Sequence, residues 1–179
     1  MCIRDSMTTY YGPGAAGSGV AEMIGYLNGV NYPGFIGINT LITKIFGVVF
    51  AVSSRLCIGK EGPLCHIGSI IGAATPYCYF RLDFLRNDFN KRALVAAGGS
   101  AGVAAAFGAP IGGALFAFEM SNQSAFWSFR LLWRTFITCA FAVATLGFFQ
   151  VFTEADPAEG FKGSATKFGK AFVEHVSAI

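Results

Sequence analysis

Gly59-Lys60-Glu61-Gly62-Pro63 lies between two apolar runs, residues 45–58 and 64–74, and sets a carboxylate between glycines just where hydrophobic sequence resumes. Pro63 suits the first position of a new helix, because its fixed φ and missing N–H cost nothing there. A helix N-terminus carries partial positive charge and unpaired N–H groups, which together make an anion site. A glutamate at such a place, flanked by membrane-like sequence, is costly and marks a functional residue. Its carboxylate can occupy the anion site itself and leave when protonated or outcompeted. The stretch reads as a gate in an anion pathway; the plainer alternative is a solvated loop glutamate beside Lys60.

Composition supports the membrane setting. The 179 residues are 54% hydrophobic and 13% charged, with 23 glycines and 19 phenylalanines, whereas about a quarter of an average soluble domain is charged. Abundant glycine fits closely packed membrane helices, where small residues let backbones approach. The expected fold is an all-α integral membrane protein of several broken and tilted helices. A formal charge of +3 from scattered basic residues lacks the dense patch that a phosphate backbone requires, so no nucleic acid partner is expected. The five cysteines (Cys2, Cys57, Cys65, Cys78, Cys139) contain no CxxC pair and read as reduced packing residues rather than metal ligands. No metal cluster, nucleophile–base pair or cofactor loop stands out, so neither an enzyme nor a cofactor is expected.

Along the chain, residues 1–9 read as a lead-in outside the fold, 10–152 as the membrane domain, and 153–179 as an aqueous loop or truncated tail. No apolar signal-peptide core opens the chain, so targeting is expected to rest on internal hydrophobic segments. Residues 12–33, rich in Gly, Asn and Pro, predict loop and short helix. The run 35–58 is apolar apart from Lys44 and the Ser53-Ser54-Arg55 interruption. Residues 64–80 fall short of the ~20 that a full crossing needs. The most charged stretch, 81–92, belongs outside the hydrocarbon and on the cytoplasmic side. Residues 93–118 are apolar but broken at Gly108-Ala109-Pro110, and 131–152 is the cleanest spanning candidate. Interrupted membrane helices are tolerated where backbone lines a cavity, and they point to transport sites built from half-helix ends.

Further constellations carry chemistry to different degrees. Gly17-Ser18-Gly19 precedes a helical stretch, and its glycines free the backbone to turn N–H groups inward beside the Ser18 hydroxyl. Chloride accepts such weakly directional donors without needing a full basic charge. The plainer reading of Ser18 is an N-cap. His66, one turn after Pro63, reads as packing or hydrogen bonding. The glycines of 97–113 lack the GxGxxG spacing of a dinucleotide loop, and Gly98 with Gly102 instead makes a small-residue face for close helix packing. Glu119, at the end of an apolar helix, is either a proton relay from the aqueous side or a solvated helix end.

With GSGVAE at 17–22, GKEGPLCH at 59–66 and AAFGAPIGGALFAFE at 105–119, the chain resembles the CLC family of chloride channels and transporters, in order and spacing, over about residues 10–152. The stretch 91–113 resembles the eukaryotic organellar branch most, which implies an intracellular organelle membrane, with the plasma membrane as the alternative. The resemblance implies the first of two inverted repeats of a homodimer in the lipid bilayer, each subunit with its own chloride pore. It implies Ser18, between Gly17 and Gly19, as a chloride ligand and Glu61 as the gate. The backbone around Gly59, Lys60, Gly62 and Pro63 would line the outer anion site.

Two departures qualify those implications. Ala21 stands where the family usually has proline, so the Ser18 loop loses a pre-set helix start but keeps its donors. Proton-coupled members usually have two successive glutamates where this chain has Glu119 and Met120, and methionine cannot titrate. The expected function is therefore gated chloride conduction. A chloride/proton antiporter is the runner-up, and a non-conducting fragment that assembles with a full-length relative is the third reading, since the second anion loop and pore tyrosine of the family are not found after residue 152.

Overall fold

Helices make up every regular element in the computed structural model, which describes residues 2–54, 59–78, 86–121 and 128–153. In chain order these are α1 (Cys2–Tyr10), a 3-10 turn (Pro13–Ala15), α2 (Val20–Leu27), α3 (Ile38–Ser53), α4 (Glu61–Cys78), α5 (Asp88–Phe107), α6 (Pro110–Ser121) and α7 (Phe129–Thr153). The tail from residue 154, residues 79–85 of the charged region and the 55–58 link lie outside the described residues.

The lead-in expected over 1–9 is instead helical from Cys2. A nine-residue helix is marginal by itself, but α1 packs on α3 and half-buries Met7 and Thr8. The apolar run 35–58 yields a helix of 16 residues, because extended backbone at Gly37 delays its start and Ser54 closes it with an N–H···O bond to Phe50 of 3.1 Å.

α4 and α5 form the most extensive helix pair. Gly68 faces the Gly98 backbone, Gly72 the Leu94 carbonyl and Gly102 the Leu64 carbonyl, so closely that a Cβ on any of them would overlap a carbonyl oxygen. The small-residue face expected at Gly98 and Gly102 is thus a helix contact. Around it Met23, Tyr26, Leu27, Phe35, Cys65, Val95, Val103 and Met120 pack into one apolar cluster. Cys65 and Cys139 are buried free thiols, in keeping with the packing role read from sequence.

The break at Gly108-Ala109-Pro110 occurs as expected: α5 ends at Gly108 in left-handed conformation (φ 68°) and α6 starts at Pro110. On α7, Leu131, Thr135 and Cys139 are buried at intervals of four residues, one stripe turned toward α5 and α6. The rest of α7 exposes Trp133, Phe136, Ile137, Phe141, Phe148 and Phe149. Among the described residues α7 alone is long and apolar enough to cross a membrane, over Phe129–Phe149 with mean hydropathy 1.6.

Candidate anion site

The two motifs that sequence reading singled out meet in space. Gly17 and Gly19 hold φ of 71° and 82°, values that L side chains rarely adopt, and so turn the chain sharply on either side of Ser18. Gly19, not Ser18, is the N-cap of α2, with its carbonyl accepting the Met23 N–H at 3.1 Å. The plain N-cap reading of Ser18 therefore fails. Its hydroxyl is exposed and only loosely engaged, 3.5 Å from the Val20 N–H, at the outer limit for a hydrogen bond.

The second motif opens α4. The helix starts at Glu61 rather than at Pro63, and the first intrahelical bond runs from the Leu64 N–H to the Lys60 carbonyl at 3.1 Å. Pro63 is thus the third helical residue, still inside the first turn, where a missing N–H removes no helix bond. It also donates nothing to an anion. A helix start leaves the amides of Glu61 and Gly62 without intrahelical acceptors, so within α4 these two N–H groups are open to an anion. The Glu61 carboxylate folds back over Gly59, filling the space that a Cβ there would need. Glu61 is half-buried, whereas Gly59 and Lys60 are exposed.

Contact between the motifs is direct: a Cβ on Gly62 would sit 2.9 Å from the Ser18 Cβ. Only glycine at 62 lets the Ser18 turn approach the N-terminus of α4 this closely. A cavity of about 550 Å3 opens beside the contact, lined by Gly17, Ser18, Gly59 and Pro63 together with Lys44, Thr43 and Val48 of α3. Its polar lining is thus the hydroxyl residues Thr8, Ser18 and Thr43, turn backbone and Lys44, set in apolar walls.

The sequence showed Lys44 as an interruption of the apolar run 35–58 but gave it no role. Only 3% exposed, it sends its ammonium to the carbonyls of Ala15 (3.1 Å) and Gly17 (2.8 Å). A single lysine in an apolar run of 24 residues was the available signal, since ionisable residues at membrane depth are functional candidates by default. His66 is fully buried, stacked on Phe35 at 4.5 Å, with Nε2 3.1 Å from the Phe35 carbonyl. It packs, as read from sequence, and its ring also walls Gly19 from behind. Glu119 is exposed near the end of α6 and is not part of the cavity wall, while Met120 beside it is buried in the core.

Known proteins are similar to this chain. A family profile described as Voltage gated chloride channel matches residues 2–171. "Chloride channel protein D" of Dictyostelium discoideum is 47% identical over 152 residues, which covers 80% of this chain and 15% of that protein. "Chloride channel protein A" of the same organism is 45% identical over 139 residues, 73% of this chain and 16% of the relative. "Chloride channel protein CLC-c" of Arabidopsis thaliana is 42% identical over 149 residues, 79% of this chain and 19% of the relative. The chain thus spans less than a fifth of the length of each.

Proposed function

The chain belongs to the Voltage gated chloride channel family, and from that membership we propose that it forms the first part of a chloride pathway embedded in a lipid bilayer. The observation that carries this reading is the meeting of the Ser18 turn with the N-terminus of α4 at one cavity. Chloride is held there by the Ser18 hydroxyl, the amides of the turn and those of Glu61 and Gly62, with Lys60 adding an exposed positive charge at the mouth. The Glu61 carboxylate, lying at the same helix end, competes with chloride for these donors and acts as the gate. The protein works as a homodimer, in an intracellular organelle membrane.

Met120 favours conduction over proton-coupled exchange. It is buried in the apolar cluster, where a thioether offers no proton site, and the neighbouring Glu119 is exposed and apart from the cavity. The other reading is a non-conducting subunit that assembles with a longer relative.

Liposomes carrying the chain, followed with chloride and pH electrodes, test the proposal. Chloride is expected to leave without proton movement in fixed ratio, and severalfold faster from liposomes of Glu61→Ala. An unchanged rate in that variant removes the gate, and stoichiometric proton movement replaces the channel with an exchanger. Chloride binding in detergent without efflux favours the assembling subunit, checked by co-purification with a full-length relative. Absence of both binding and efflux rejects the reading.

A further inference from the structure

We propose that Lys44 is a positioning residue for the anion site, holding the Ser18 turn in one shape through two main-chain carbonyls. The inference rests on the chloride reading given above. The ammonium of Lys44 is buried and donates to the Ala15 and Gly17 carbonyls at 3.1 and 2.8 Å, so two of its three N–H donors are spent on the chain just ahead of Ser18. In a trans peptide the C=O and the N–H that follows point in opposite directions, and no cis peptide occurs among the described residues. Pinning the Gly17 carbonyl to Lys44 therefore also fixes the direction of the Ser18 N–H, the next donor along the turn.

Gly17 by itself would not hold this arrangement. Nothing lies within 4 Å of where its Cβ would be, so no contact on that side restrains it, and glycine populates left- and right-handed backbone about equally. Lys44 supplies the missing restraint at the flexible end of the turn, while the His66 ring against Gly19 restrains the other. The lysine also leaves a positive charge in the wall of the cavity, where an anion gains from it in low dielectric.

The test measures chloride affinity of the detergent-solubilised 179-residue chain by 35Cl line broadening, for the parent, Lys44→Met, Lys44→Arg, Ser18→Ala and the Lys44→Met/Ser18→Ala pair. Thermal unfolding identifies variants that do not fold. Lys44→Met is expected to weaken chloride binding about tenfold, and Ser18→Ala to cost about fivefold in the parent but little in the Lys44→Met background, because coupled residues are non-additive. Lys44→Arg, which keeps the charge and the donors, is expected to bind within about threefold of the parent. Parent-like affinity in Lys44→Met, or fully additive losses, overturns the proposal. Should Lys44→Met not fold, the arginine variant decides: a loss of about tenfold or more there overturns it. A parent chain that fails to broaden the chloride resonance refutes the chloride reading itself rather than the role of Lys44.

Discussion

Gly17 and Gly19 look alike in sequence and in dihedral, yet their surroundings differ. Gly17 faces open space, whereas a Cβ on Gly19 would run into the His66 ring. Gly17→Ala should therefore cost about 1–2 kcal/mol, the penalty of a left-handed non-glycine residue. Gly19→Ala should cost that and more, because a buried, stacked histidine must also move. Thermal unfolding in detergent reads the difference, and equal losses would mean that the ring contact carries no weight. Ser18 was legible in the sequence because it stands between glycines that must turn. Lys44 was harder to see, since its partners are carbonyls of residues 27 and 29 positions away, and main-chain acceptors leave no mark in a sequence.

Elements are held by approach distance more than by side-chain bulk. α4 and α5 meet through Gly68, Gly72, Gly98 and Gly102, where backbone lies against backbone. Adding a methyl at Gly98 forces the pair apart, at about 1–3 kcal/mol. Gly147 on α7 has nothing within 4 Å of its Cβ position, so there the same change should raise helix stability by up to ~1 kcal/mol. Unfolding midpoints of Gly98→Ala and Gly147→Ala should thus move in opposite directions, and a common direction would contradict the close-contact account. The breaks between elements were legible: Gly108 and Pro110 end one helix and begin the next as their chemistry requires. The start of α4 was not, because proline is tolerated anywhere in a first turn, and three positions satisfy that condition equally.

At the scale of the molecule, α7 turns a stripe of Leu131, Thr135 and Cys139 inward and leaves its aromatic side chains outside. Such a face suits acyl chains, which need no hydrogen bonds from it. Phe141, 69% exposed and close to the middle of Phe129–Phe149, is the position where a charge costs most. Phe141→Arg should disfavour insertion by about 2.5–3.5 kcal/mol, read as a shift of the protein out of the carbonate-resistant membrane fraction. An unshifted fraction would mean that this face does not meet lipid. The same scale explains the helix at Cys2–Tyr10, where an opening segment without strong local propensity is ordered by its contact with α3.

By itself the sequence determined the helical class, the family, the broken segments and the two motifs proposed for anion binding, because each follows from local chemistry: apolar runs, glycine and proline punctuation, and a carboxylate at a helix start. Tertiary structure alone decided that Ser18 rests on Gly62, that the free donors of α4 are the amides of Glu61 and Gly62, and that Lys44 holds the Gly17 carbonyl. These are contacts across long stretches of chain, or choices among equivalent helix registers. Neither kind is encoded in the order of neighbouring residues; both arise only when α3, α4 and the turn before α2 pack together.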